Sequence, residues 1–320
     1  MDMIIKRIVI GVLISLVLTS AILAMVFWTP DTMFEDMRHK YANEASQFLY
    51  LDNGDRIHFR DQGVAEKAVL VLLHGTGASL HTWEPLIESL GDRYRLISLD
   101  LPGHGLTGAN VAREYSHQAM INSVWRVLDH LDIQSATLVG NSLGGALAWA
   151  SAVDRPEKVK ALIMLAPSGA PRITDSESNI GFKILRTSIG RLLMKKITPR
   201  SIIKTSLLQT VAVPEIVTEQ MVDRYWELLR MQGNRQAMVD LANTFRDKDA
   251  WLKLSSIKAP ALVIWGERDG VLPMTMIVTF DTQLDDVKVV TLENVGHLPM
   301  EEAVDDVSRQ IIGFCNAVDC

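Results

Sequence analysis

Cysteine is scarce in this sequence: the 320 residues include only Cys315 and Cys320. No histidine or further cysteine accompanies them, which argues against a metal site, and neither lies in a setting typical of a catalytic thiol. On one regular helix, side chains five positions apart do not face each other, so a disulfide would require the chain to leave helical geometry. The sequence therefore predicts no metal centre, and it leaves a disulfide and two free thiols as open alternatives.

An excess of basic charge is also missing. The net charge is −6, so there is no electrostatic reason to expect a nucleic-acid partner. The sequence has no low-complexity stretch, and 48% hydrophobic with 22% charged residues is typical of a folded protein. Its length is within the range of a single α/β domain, and nothing in it implies an obligatory protein partner.

Charged residues are absent from one long segment near the start, from Ile8 to Trp28. As a helix it would span about 31 Å, the thickness of the hydrocarbon core of a bilayer. Lys6 and Arg7 precede it and Asp31 follows, so the positive-inside tendency places the rest of the chain outside the cytoplasm, in the periplasm or the extracellular space. The segment predicts a single transmembrane helix as a membrane anchor (residues 1–30), followed by a connector (residues 31–46).

A cleaved signal peptide is the alternative for this segment. Thr19-Ser20-Ala21 loosely resembles a small-residue cleavage site. The apolar run is longer than the roughly 7–15 residues usual for such peptides, which favours an uncleaved anchor.

Strand-like and helix-like segments alternate after the connector. Residues 48–51 and 56–60 alternate in β fashion around Asn53-Gly54, which indicates a hairpin. Further strands are predicted at 68–73, 95–99, 136–139, 159–165, 261–265 and 287–292. Helix-length connections between these strands predict an α/β fold with a mostly parallel sheet covered by helices on both faces.

One stretch interrupts this alternation. Residues 167–249 contain no clear strand but several helical patterns, such as 184–194 and 222–231. An insertion of this size between two strands predicts a helical cap over the carboxyl edge of the sheet, where ligands bind in open α/β folds. The cap would divide the core into residues 47–166 and 250–320.

The sharpest local motif is Gly140-Asn141-Ser142-Leu143-Gly144, between an apolar strand and a helix. A nucleophile on a tight strand-to-helix turn has close neighbours, and glycine two positions before and after it removes the side chains that would clash. The turn also places Ser142 at a helix N-terminus, where developing negative charge is favoured. The motif predicts Ser142 as a nucleophile.

A serine hydroxyl needs an adjacent base, and His297 is the only histidine that follows Ser142. The acid that would orient His297 is predicted as Asp269, directly after the strand at 261–265, with Glu267 as the rival. The oxyanion would be held by two backbone N–H groups, one from Leu143 and one from Thr76, with Gly77 as the alternative to Thr76.

These segments together resemble the α/β-hydrolase superfamily from about residue 48 onward. The motifs that carry the resemblance are His74-Gly75-Thr76-Gly77, Asp100-Leu101-Pro102-Gly103-His104-Gly105, the turn around Ser142, Trp265-Gly266-Glu267-Arg268-Asp269 and Gly296-His297. The resemblance implies the α/β-hydrolase fold and the chain order serine, acid, histidine. It is nearest to capped, membrane-anchored bacterial carboxylesterases and lipases, and to the hydrolases that cleave carbon–carbon bonds in ring-fission products.

Two departures narrow the expected activity. Dehalogenases and epoxide hydrolases of this superfamily use an aspartate where Ser142 stands, and many carbon–carbon hydrolases place a tryptophan where Leu298 stands. We therefore expect a carboxylic-ester hydrolase acting on a small-molecule ester or lipid-like substrate, without metal or organic cofactor. Cleavage of a carbon–carbon bond in a ring-fission product is the first alternative, and Arg172, Arg186 and Arg191 are candidates to bind its carboxylate. A ligand receptor with little turnover is the second.

Overall fold

One mixed sheet organises the chain in the computed structural model, which describes residues 2–171, 179–244, 249–318 and 320. In these residues the sheet has eight strands: β1 Ser46–Tyr50, β2 Arg56–Gly63, β3 Val69–Leu73, β4 Arg95–Leu99, β5 Ala136–Asn141, β6 Val159–Leu165, β7 Ala261–Gly266 and β8 Val287–Leu292.

The strand order in space is β1-β2-β4-β3-β5-β6-β7-β8. The pairs β1–β2 and β2–β4 are antiparallel and all later pairs are parallel. Gly54 adopts a φ of 87° in the β1–β2 turn, a conformation that suits glycine. The predicted hairpin and the mostly parallel sheet are therefore confirmed.

The helices that precede or cover the sheet are α1 Asp2–Phe27, α2 Phe34–Tyr41, α3 Glu84–Leu90, α4 His117–His130, α5 Leu143–Asp154, α11 Ile277–Gln283, α12 Pro299–Glu302 and α13 Val304–Val318. Those of the β6–β7 connection are α6 Ile180–Arg186, α7 Ser188–Met194, α8 Arg200–Leu208, α9 Glu219–Leu229 and α10 Asn234–Thr244. Two apolar cores result, one on each face of the sheet. One contains α4 and α5, and the other contains α3 and α13.

The predicted membrane anchor from Ile8 to Trp28 is wrong. Helix α1 covers this segment as far as Phe27. Across the described residues, no helix has both the length and the hydropathy for such a span. The predicted transmembrane helix is therefore not supported, and neither is the predicted location outside the cytoplasm that depended on it.

The segment after α1 is bound to the β6–β7 connection. Arg235 donates to the Thr29 main-chain oxygen at 2.8 Å and pairs with Asp31 at 2.5 Å. The Thr29 N–H donates to the Lys196 oxygen at 2.9 Å. The predicted connector, residues 31–46, contains helix α2 and reaches the first residue of β1.

Cys315 and Cys320 form a disulfide, which resolves the alternative that the sequence left open. Helix α13 ends at Val318, so Cys320 lies outside the helix and can turn back to Cys315. The Cys320 main-chain oxygen accepts a hydrogen bond from Thr137 Oγ1 at 3.2 Å, at the start of β5. This contact joins the end of α13 to the strand that leads to Ser142.

Candidate active site

Ser142 lies on the turn between β5 and α5 with φ 52° and ψ −111°, a left-handed conformation that is strained for a serine. The two motif glycines are required by close backbone approach. A Cβ on Gly144 would lie 1.9 Å from the Leu73 oxygen, and one on Gly140 would lie 2.2 Å from the Gly144 oxygen. The packing between β5, α5 and β3 therefore explains the glycine spacing around Ser142.

His297 and Asp269 are brought together from two loops at the carboxyl ends of β7 and β8. Nδ1 of His297 lies 2.7 Å from Oδ2 of Asp269. The other carboxylate oxygen accepts the N–H groups of Val271 and Leu272, both at 2.8 Å, which fixes the carboxylate. Glu267, the rival acid, is exposed, so the geometry favours Asp269.

Ser142 and His297 line the same cavity. The side chain of Asn141, which the sequence reasoning did not single out, links their two loops. Its Nδ2 donates to the main-chain oxygens of His297 at 3.0 Å and Leu165 at 3.1 Å. Its position beside Ser142 in the motif was the one available sequence signal.

The loop after β3 passes over Ser142. A Cβ on Gly75 would lie 3.2 Å from the Ser142 Cβ, and Thr76 and Gly77 line the cavity with Ser142. Within the described chain, the N–H groups of Thr76 and Leu143 donate no hydrogen bond. Both groups are thus available to an external acceptor, and the oxyanion role assigned to them stays a prediction.

His74 braces this loop from behind. Its Nε2 accepts the Leu101 N–H at 3.0 Å and its Nδ1 donates to the Gly75 oxygen at 2.8 Å. Burial lowers the pKa of His74, so the ring is neutral and both nitrogens are used in these contacts. These two contacts make His74 a structural residue of this loop.

No group of three or more His, Cys, Asp or Glu side chains with metal-binding geometry occurs among the described residues.

The match to known proteins covers most of the chain. Residues 68–304 match the family described as alpha/beta hydrolase fold. The chain belongs to this family. This hydrolase is 31% identical over 248 residues to the dihydrolipoyllysine-residue acetyltransferase component of an acetoin cleaving system from Pseudomonas putida, covering 77% of this chain and 62% of that relative. The chain thus spans less than two thirds of that protein.

Two further similarities cover nearly whole proteins. The hydrolase is 29% identical over 290 residues to a 2-hydroxy-6-oxononadienedioate/2-hydroxy-6-oxononatrienedioate hydrolase from Burkholderia vietnamiensis, covering 88% of this chain and 96% of the relative. Among solved structures, a lipase described as putative from Acinetobacter baumannii AYE superposes with a TM-score of 0.75 and 25% identity, covering 91% of this chain and 98% of that chain.

The cavity of this hydrolase, together with the open solvent at its mouth, encloses about 1070 Å³. Helices of the β6–β7 connection supply its apolar wall, which includes Phe182, Ile184, Leu185, Met194, Ile202, Ile203, Leu207, Leu229 and Met238. Of the arginines that the sequence suggested for a carboxylate, Arg186 and Arg191 do not line the cavity, and Arg172 lies outside the described residues.

Proposed function

We propose that this hydrolase cleaves carboxylic esters with Ser142 as nucleophile, His297 as base and Asp269 as the acid that orients His297. The observation that carries the proposal is the 2.7 Å contact between His297 and Asp269 at a cavity that Ser142 also lines. A histidine held in this way has one ring nitrogen available to take a proton from a nearby hydroxyl.

In the proposed reaction Ser142 Oγ attacks the ester carbonyl carbon, and His297 takes the hydroxyl proton. The tetrahedral oxyanion accepts hydrogen bonds from the N–H groups of Leu143 and Thr76. The alcohol leaves with the proton from His297. Water, deprotonated by His297, then attacks the acyl-enzyme and releases the acid, so no metal or cofactor is required.

The wall of the cavity supports an apolar acyl group. We propose residues 167–249 as the cap that forms this wall, because its described helices contribute most of the apolar lining. Burying an acyl chain there contributes about 0.8 kcal/mol per methylene. The similarity to a solved lipase at 25% identity agrees with an ester of this kind.

Carbon–carbon hydrolysis is the second candidate, supported by the similarity to the dienedioate hydrolase. That relative acts on a dicarboxylate, and a buried carboxylate needs a cation or several donors to offset its desolvation. No lysine or arginine is found among the described residues that line this cavity, which favours the ester.

The test is hydrolysis of a p-nitrophenyl ester series, from acetyl to long acyl chains, by wild type, S142A and S201A. Ser201 is an exposed serine on α8 and serves as the matched control. Sustained turnover that S142A loses and S201A retains is expected, with a preference for chains longer than acetyl. A single round of acylation without turnover would instead identify a receptor-like protein. Turnover of a ring-fission dienoate, with none of any ester, would overturn the proposal in favour of carbon–carbon cleavage.

A further inference from the structure

We propose that Glu302 is a positioning residue for His297, and that it ties the position of this histidine to the cap. The inference rests on the proposed function, in which His297 is the base. Glu302 is the last residue of α12, five positions after His297, and it does not line the cavity. Its effect would therefore act through the loop that carries His297.

The carboxylate of Glu302 accepts three main-chain N–H groups. Oε2 accepts from Gly296 at 3.0 Å, and Oε1 accepts from Leu298 at 3.1 Å. These donors are the residues directly before and after His297, so one side chain fixes the loop on both sides of the histidine. Hydrogen bonds to a charged acceptor are about twice as strong as neutral ones, and three of them leave little freedom to the loop.

The third donor comes from the cap. Glu302 Oε2 accepts the Ala212 N–H at 2.7 Å, just beyond helix α8. The His297 N–H in turn donates to the Thr210 oxygen at 2.8 Å. The segment from Thr210 to Ala212 and the histidine loop are thus joined by two bonds, one through the carboxylate and one direct.

The fit between these segments is tight. A Cβ on Gly296 would lie 2.7 Å from both the Ala212 nitrogen and the Thr210 oxygen, and 2.9 Å from Glu302 Oε1. Only glycine fits at position 296, so the histidine loop packs directly against the cap, and Glu302 bonds to both segments there. His297 keeps its place against Asp269 only while this arrangement holds.

The most informative variant is E302Q, which preserves the shape of the side chain. A glutamine has one oxygen, so its amide N–H₂ must face either Leu298 N–H or the Gly296 and Ala212 N–H groups, where donor meets donor. E302A removes all three bonds. The matched control for loss of charge is D305N, because Asp305 is an exposed carboxylate in the first turn of α13.

The measurements are kcat and KM on the best p-nitrophenyl ester, the rate of covalent labelling by a fluorophosphonate, and the downfield proton signal of the His297–Asp269 hydrogen bond. Displacement of a reacting group by about 1 Å can cost on the order of 100-fold in rate. We expect E302Q to lower kcat and the labelling rate about 10- to 100-fold, with KM within about twofold of wild type and a shifted or broadened signal. D305N should match wild type.

Three results would overturn the inference. The first is a folded E302Q that is labelled and hydrolyses the ester at the wild-type rate. The second is an E302Q that loses only thermal stability, and the third is an E302Q in which only KM changes. If E302A fails to fold, E302Q alone decides. Wild type that neither labels nor turns over would instead overturn the proposed function, and with it the role assigned to Glu302.

Discussion

Asn141 Nδ2 lies 3.0 Å from the main-chain oxygen of His297, so the residue directly before the serine holds the loop of the histidine. The same amide nitrogen donates to Leu165 at the end of β6. The relative position of Ser142 and His297 therefore depends on a neutral side chain that takes no part in the proposed chemistry. Asn141 holds this loop from the serine side, whereas Glu302 holds it from α12 and the cap.

Replacing Asn141 tests this link. N141A leaves the buried His297 oxygen without its donor and leaves Leu165 with only the Ser142 N–H. This costs about 2 kcal/mol of stability, and we expect roughly a tenfold lower kcat on esters. N141D should be worse, because it places a carboxylate against two carbonyl oxygens. Denaturant unfolding and ester kinetics measure both effects. N122A, at an exposed position of α4, is the control, and equal kinetics for N141A and N122A would contradict the link.

Two glycine substitutions should have opposite effects. G144A places a methyl group 1.9 Å from the Leu73 oxygen, so the turn must distort, and we expect a loss of more than about 3 kcal/mol or failure to fold. Gly313 lies within α13 with nothing near its added Cβ, so G313A should gain up to about 1 kcal/mol from helix propensity. Thermal unfolding reports both. A stable, active G144A would show that the turn is not packed as described.

The acyl-chain preference should follow the cap wall. Phe182 lines the cavity from α6, and F182A enlarges that wall. We expect the optimum of the ester series to move to longer acyl chains, while kcat/KM for the acetyl ester changes less than about threefold, because the short chain does not reach the wall. L192A, exposed on α7 and not lining the cavity, should leave the profile unchanged. An F182A profile identical to wild type would place the acyl chain elsewhere.

Stability should fall in mild acid. Burial lowers the pKa of His74, of His81 to about 4 and of His104 to about 3. Because the unfolded chain has histidine pKa values near 6.5, it binds more protons than the folded chain below that pH. The free energy of unfolding should therefore be highest above about pH 6.5. Below that pH it should fall by about 1.4 kcal/mol per pH unit for each such histidine.

One group opposes this trend. Burial raises the pKa of Glu301, so the folded chain holds a proton there that the unfolded chain releases as the pH rises above about 4.5. The three buried histidines outweigh this one carboxyl group, so the free energy of unfolding still rises with pH. Urea unfolding between pH 4.5 and 7.5 measures the slope, which H81Q should reduce and H39Q, at an exposed site, should not. A flat profile for wild type would contradict the neutral, buried state of the histidines.

Several features could be predicted from the sequence because they depend on local patterns. Strands β4, β6 and β8 have the predicted bounds, since each is an apolar or alternating run bounded by turns. The amphipathic pattern at 302–314 indicates one last helix, whereas the structure has α12 from Pro299 and α13 from Val304, because Ala303 leaves helical geometry. The largest error was the transmembrane helix predicted from Ile8 to Trp28. Among the described residues, no helix has both the length and the hydropathy to cross a membrane.

The amino-acid sequence alone was enough to identify the residue types of the candidate chemistry: a serine between spaced glycines, one later histidine, and an aspartate after a strand. The folded arrangement was needed to establish that Asp269 rather than Glu267 contacts His297, that Cys315 and Cys320 pair, and that Asn141 and Glu302 hold the histidine loop. These contacts join residues far apart in the chain or depend on where a loop turns. Their distances follow from how the loops pack at the edge of the sheet, which no local periodicity encodes.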